Sequence, residues 1–405
     1  MTQTMPTQTN LHAPAPFSPL PVIRERVRVR ALKQISRQDK FNFFNALTPA
    51  LSRSTGRGGL IRSYVASVCI ALLACSFARA GGIAAQPNLV TGEEINDAQR
   101  DAVDKGLAWL AGRQGPDGNY NGHAGITALC GLAFMEQGNL PNRGKYGVNV
   151  EKCLEFVENS CQQSGLISAN NDNGPMYGHG FATVFLGELY GETGDEEIKE
   201  KLQRAVHLIE TTQNAEGGWR YQPMPYDADI SVTICEIMAL RAAQDAGIKV
   251  EKSVRDKAIA YVLSCQNDDG GFSYQAYGRG GGSGFARTGA GCSSLYYAGV
   301  FDSDNLKRGL DFLKQYVLAG GLTDDSERHF YYGNYYAAQA MFLAGGDYWK
   351  TYYPALRDVL LQRQAANGDH WSGDYSDECD SAMALIALQM PNRYLPVFCG
   401  KGPGS

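Results

Sequence analysis

The chain has 405 residues, 44% hydrophobic and 20% charged, with a formal net charge of −5, an ordinary globular composition. The charge is uneven: residues 1–80 hold 11 Lys/Arg against 2 Asp/Glu, and the rest hold 26 against 40. So acidic a body excludes nucleic acid as a partner, because neutralising phosphates takes basic patches.

Residues 1–59 carry Pro-rich and Arg-rich stretches with no helical period and read as a disordered leader. Residues 60–80 have the pattern of a secretory signal: basic Arg62, an apolar run from Tyr64 to Ala74 and the small-x-small end Ala78-Arg79-Ala80. The run falls short of the about 20 apolar residues of a membrane span. A leader ahead of a signal suggests translation from near Leu60, at a non-ATG codon, leaving residues 1–59 untranslated. Leu72-Leu73-Ala74-Cys75 resembles a bacterial lipoprotein box. The expected location is therefore the periplasm or cell envelope, with membrane contact only through the signal or a lipid on Cys75. Residues 81–94 read as a linker. Eight cysteines follow the signal, none in a Cys-x-x-Cys spacing. Export leaves disulfides open, but apolar surroundings such as Ala-Leu-Cys130-Gly-Leu favour buried free thiols.

From residue 95 to 395 a period near 50 takes over. Gln114, Gln163, Gln213, Gln266, Gln315 and Gln364 are 49, 50, 53, 49 and 49 residues apart. Around four of them a template recurs, of glutamine, polar turn, glycine and aromatic: Gln114 to Tyr120, Gln213 to Trp219, Gln266 to Phe272, Gln364 to Trp371. A fixed period of this length is one supersecondary unit repeated. In the third copy, Ile198, Leu202, Ala205, Val206 and Ile209 have helical spacing, Gly217-Gly218 breaks the helix, and an almost wholly apolar helix follows. An all-apolar helix must be buried. The second helices, near 122–137, 178–190, 229–246, 286–299, 332–345 and 376–390, therefore form an inner ring inside the first helices. The fold expected is all-α, a closed α/α toroid or (α/α)6 barrel, with a tail at 396–405. An open tetratricopeptide-like stack would need a period near 34. The glutamine ending each outer helix is expected to satisfy orphan backbone groups, and the aromatic to pack on the neighbouring repeat.

The starts of the inner helices should converge on the barrel mouth: Gly122-His123, Gly178-His179, Asp227-Ala228-Asp229, Arg287-Thr288, His329 to Tyr332, and Asp374 to Glu378. His123, His179 and Asp229 each precede a threonine by four residues, Thr127, Thr183 and Thr233. Polar groups gathered at one end of an apolar ring are the default site. Asp229, Asp227, His179 and His123 are the catalytic candidates. Tyr221, Tyr226, Arg287, Thr288, Tyr332, Tyr336 and Asp377 are the ligand-binding ones. The competing reading makes the histidines hydrogen-bonded helix starts and the aromatics loop packing. A metal is open to His123, His179, Asp229 and Cys292, but no spacing demands one. The glycine loop Gly278–Gly284 lacks the lysine and strand context of a nucleotide loop and reads as a linker or lid.

The repeated Gln-x-x-x-Gly-Gly-Trp/Phe pattern resembles the terpenoid cyclase and protein prenyltransferase superfamily, with its squalene-cyclase-like repeats. Gly-Gly-Trp-Arg-Tyr, Asp229-x-Ser-Val-Thr and the closing Arg393-Tyr-Leu-Pro396 look most like exported members from planctomycete-type bacteria. Triterpene cyclases of the family protonate substrate with the middle acid of Asp-x-Asp-Asp-Thr. Here Asp229 takes the last acid's place and Ala228 the donor's. The prenyltransferase zinc pattern, Asp-x-Cys with a distant His, becomes Ala290-Gly-Cys292 with His329 in the histidine's part, so the resemblance makes Cys292 and His329 weak candidates for zinc. Three readings follow: a toroid of unassigned activity that binds an apolar or extended ligand at its mouth (an isoprenoid, a lipid or another apolar molecule, or a peptide or glycan); an isoprenoid cyclase-like or prenyl-transferring enzyme with Asp229 as acid; and a carbohydrate-active barrel pairing Asp229 with Asp374 or Asp377. A desolvated Asp229 would favour the second reading, facing carboxylates the third, and a mouth plugged by the glycine loop the first.

Overall fold

A computed structural model describes residues 94–323, 328–365 and 368–399. The leader, the signal, all but the end of the linker, and the tail beyond residue 399 lie outside them. The described residues contain twelve α-helices and, apart from these and short 3-10 turns, only isolated two-residue bridges. Six form the outer ring: α1 (Asp97–Arg113), α3 (Gly147–Asn159), α5 (Glu196–Thr212), α7 (Lys252–Ser264), α9 (Asp304–Leu318) and α11 (Gly346–Arg363). Six form the inner ring: α2 (Ala124–Met135), α4 (Pro175–Thr193), α6 (Ile230–Asp245), α8 (Phe285–Tyr297), α10 (Phe330–Ala344) and α12 (Asp377–Gln389). Each inner helix packs on the next, and α12 packs back on α2 and α1, which closes the toroid.

Sequence explains the two rings. Outer α5 buries one stripe, Ile198, Leu202, Ala205, Val206 and Ile209, and its N-terminus is capped by Asp195. Inner α4 is buried along nearly its whole length from Met176 to Leu189. Inner helices approach so closely that a Cβ on Gly180 would stand 2.6 Å from the Cβ of Cys235.

The repeated turn is held by three devices. The glutamine amide donates both to the turn glycine and to the next outer helix: Gln114 to the carbonyls of Gly118 and Asn149, Gln213 to Gly217 and Val254, Gln266 to Gly270 and Asn305, at 2.8–3.0 Å. Gln364 donates to Ala102 of the first repeat at 3.1 Å, across the ring closure. The turn glycine lies flat on that helix: at Gly118, Gly165, Gly217 and Gly270, φ is between +88° and +101°, and a Cβ would meet a carbonyl oxygen at 2.2–2.7 Å. The aromatic's polar edge reaches the helix-end carbonyl four residues before the glutamine: Tyr120 to Leu110, Trp219 to Ile209 and Trp371 to Leu360, at 2.8–2.9 Å. Each of these rings is buried, which contributes roughly 2–3 kcal/mol of hydrophobic stabilisation.

Two of the six glutamines do not belong to this device. In the second repeat Cys161 holds the position, bridging to Ile167 as Gln266 bridges to Phe272. Gln163 lies two residues beyond. Gln315 lies inside α9, its carbonyl accepting from Ala319 N at 3.0 Å. The glycine contact survives in the second repeat, so the glycine, rather than the glutamine, carries the period there. All eight cysteines after the signal are free thiols, seven of them buried.

The barrel axis is filled. Phe181 of α4 meets Tyr335 of α10, on the opposite side of the inner ring, with centroids 6.1 Å apart, and Tyr335 also packs on Tyr336 and Phe398. Phe398 belongs to the short 3-10 turn Pro396–Phe398, which closes the floor and donates from Val397 N to Glu188 at 3.2 Å.

Candidate functional site

The N-termini of all six inner helices open at one end of the ring, and Asp229 sits there as the N-cap of α6. Its Oδ1 accepts from Ser231 N, Val232 N and the Ser231 hydroxyl at 2.6–2.9 Å. Its Oδ2 has no hydrogen bond of good geometry: Arg220 Nε stands 3.5 Å away, and the Tyr274 hydroxyl lies beside it. The side chain is fully buried, and burial pushes its pKa up against the opposing pull of Ser231, Val232 N–H, Tyr274 and Arg220.

Tyrosines surround this carboxyl. Tyr177 OH pairs with Ser231 Oγ at 2.5 Å, and Tyr332 OH donates to Ser231 O at 3.0 Å. Tyr221 stacks on Tyr177 at 5.9 Å and shares a hydroxyl contact with Tyr274. The Arg220 guanidinium lies over both Tyr221 and Tyr274, at 5.1 and 5.9 Å, and pairs with Asp227. Beneath, Tyr336 stands edge-on to Tyr332 at 4.9 Å and reaches Cys235 Sγ at 3.2 Å. Of the candidates, Asp229, Asp227, Tyr221, Tyr332 and Tyr336 therefore come together.

The others fall elsewhere. His179 is fully buried: Nδ1 accepts from Ile167 N at 3.1 Å and Nε2 faces Ala205 O at 3.3 Å, and burial pulls its pKa down to about 4. It does the work that Thr127, Thr233, Thr288 and Ser381 do in their repeats, accepting the backbone N–H of Tyr120, Trp219, Phe272 and Trp371. The His-to-Thr spacing that paired His179 with His123 and Asp229 is thus out of register, because α4 starts early, at Pro175, after left-handed Gly174. Thr288 is committed to Phe272 N and Gly284 O. His123 forms a rim pair with Asp172, Nδ1 to Oδ1 at 3.2 Å. Asp377 is half exposed and faces His370, 3.9 Å away and stacked on Trp109. Tyr226 is 81% exposed. Cys292 packs against Gly309 of the outer ring, and His329 meets the Tyr375 hydroxyl at 2.9 Å. Among the described residues no three His, Cys, Asp or Glu side chains gather as a metal site. The glycine loop folds outward rather than across the mouth: Arg279 pairs with Glu216, Tyr277 N donates to Ser264 O, and Arg287 donates to Gly280 O at 3.3 Å.

Two acids escaped the sequence reading. Asp172 was hidden because its partner His123 lies 49 residues away. Asp380, on the first turn of α12, is fully buried under Tyr375, leaves Oδ1 without a partner, and is pushed up to about 7 by burial.

A family model described as the squalene-hopene cyclase C-terminal domain matches residues 182–358, and one described as the prenyltransferase alpha-alpha toroid domain matches residues 97–242. No curated relative matches significantly. Among solved structures the chain is similar to a type II terpene cyclase from Scytonema in complex with geranylgeranyl dihydroxybenzoate, at 14% identity over 74% of this chain and 98% of that one, with a TM-score of 0.52. It is also similar to an unsaturated glucuronyl hydrolase from a Bacillus species (12% identity, 76% and 99% covered, TM-score 0.54) and an α-1,6-mannanase from a Salegentibacter species (10%, 72% and 98%, 0.54). At such identities the likeness is one of fold. Over residues 97–358 the chain matches the squalene-hopene cyclase C-terminal and prenyltransferase toroid domains, and its fold is that of an α/α toroid.

Proposed function

We propose that the mouth binds an apolar or extended small molecule, seated on the tyrosine ring above Asp229. The observation that carries this is the buried Asp229 Oδ2, left without a well-formed hydrogen bond inside a wall of Tyr177, Tyr221, Tyr274 and Tyr332. Aromatic faces suit apolar chains and cationic centres. Phe181 and Tyr335 block the axis, so the ligand rests in the mouth and does not thread the barrel. The test is titration of the purified protein with geranylgeraniol, followed by intrinsic fluorescence. Saturable binding is expected, weakened about tenfold by Tyr332→Ala. Failure to saturate, or indifference to that substitution, defeats the proposal. Export through residues 60–80 belongs to the same reading, and N-terminal sequencing of the mature protein tests it.

A second reading, an isoprenoid-processing enzyme, is favoured by the burial of Asp229 beside Tyr177 and Tyr274, which raises its pKa in the direction that a proton donor in an apolar setting needs. Under it, a geranylgeranyl probe is converted to a new product by the native protein, while Asp229→Asn binds the probe and yields none. The carbohydrate reading draws less support, since Asp377 faces His370 and Asp374 accepts from His329 N.

A further inference from the structure

The end of the toroid opposite the mouth holds a cavity of about 290 Å³ at the seam where the last repeat meets the first. Its wall comes from the start of α1 (Gln99, Arg100, Asp104), the end of α12 (Gln389) and the chain that follows (Asn392, Tyr394). Ligand sites run from about 300 Å³ upward and are mostly apolar. This one is small and mostly polar.

Two of its residues are built into the core with a bond missing. Gln99 is 98% buried and spends its amide N–H groups on Tyr353 OH at 2.8 Å and Leu388 O at 2.6 Å. Gln389 is equally buried and donates to Ala133 O at 3.0 Å. Those donations fix both amide orientations, and both carbonyl oxygens are left without a donor. A buried acceptor without a donor is unfavourable and is rare in native proteins. The missing partner must bring O–H or N–H groups. The rest of the wall offers one cation and one anion, Arg100 and Asp104, with Arg100 already bonded to Asp97 at 2.6 Å. The site is thus close to neutral and rich in both donors and acceptors. Tyr394 supplies an aromatic face, its ring seated over Gly138, where a Cβ would stand 3.3 Å from Cε1.

We infer that this seam cavity is a binding site for a neutral polyhydroxylated molecule of monosaccharide size, separate from the mouth. Ring hydroxyls donate to the Gln99 and Gln389 carbonyls and to Asp104, accept from Arg100 and Asn392, and the sugar face rests on Tyr394. The experiment is a titration of the full chain with glucose, galactose, mannose and xylose by calorimetry and saturation-transfer NMR, up to roughly tens of millimolar. At least one sugar is expected to saturate, with affinity lowered about tenfold in Tyr394→Ala and also lowered in Asp104→Asn. Both residues are exposed, so melting temperatures of these variants should match the native protein. The mouth variant Tyr332→Ala should bind the sugar unchanged, which separates this site from the function proposed above. Absence of saturation by every sugar, or loss of sugar binding in Tyr332→Ala with retention in Tyr394→Ala, overturns the inference.

Discussion

The two ends of this toroid treat their acids differently. At the mouth, Asp227, Asp374 and Asp377 reach solvent, and even Asp229 has half its carboxyl engaged in capping a helix. At the floor, Glu136 and Glu188 are fully buried on neighbouring inner helices, close enough to repel, under the chain segment Tyr394–Val397 whose backbone N–H groups face them. Burial pushes Glu188 up to about 8 and Glu136 well above its usual value. The contrast is that most acids at the helix starts reach solvent, where they can serve a ligand, with Asp229 and Asp380 the buried exceptions, while both floor glutamates lie inside the core.

The aromatic plug between the two ends gives the largest expected effect. Tyr335→Ala should cost about 3–5 kcal/mol in chemical denaturation, because a fully buried ring leaves a cavity. A cost below about 1 kcal/mol would mean the axis is not packed as described. Next comes Glu188. Its folded pKa is raised above its unfolded value, so its contribution to stability is fully present below about pH 4.5 and is lost as pH climbs toward about 8. Glu188→Gln keeps an acceptor for Val397 N and should flatten that decline, with a gain on the order of 2 kcal/mol at pH 8 relative to the native chain. Thermal melts from about pH 5 to about pH 9 would read it, and an unaltered pH profile would erase the distinction between floor and mouth. Smallest is Asp377→Asn at the rim, expected to change stability by less than about 0.5 kcal/mol, since half-exposed pairs contribute little. A larger loss would show that the rim is structural too.

The fold was legible because its determinants are local. Gln213, Gly217 and Trp219 sit in one turn, and each makes its bonds within that turn or to an adjacent helix. Spacing alone misled where local chemistry was missing: Gln163 and Gln315 keep the period without the bonds. His179 looked like His123 until an early helix start put it in a threonine's place. The mouth was half legible. Asp229 and Tyr332 could be placed by counting, but the contact of Tyr332 with Ser231 joins residues 101 apart, across the ring. The plug and the floor were not legible at all, because Phe181, Tyr335 and Glu188 lie within apolar helical runs whose depth along the axis no period reports.

The seam where Gln364 bonds Ala102 and Gln99 bonds Leu388 has a consequence for how the molecule comes apart. In an open stack of repeats the terminal units fray first and the rest survive by nearest-neighbour coupling. A ring whose first and last repeats are bonded has no terminal unit to fray. Unfolding must begin by rupturing a junction that is bonded from both sides, so the repeats should be lost together as one cooperative unit.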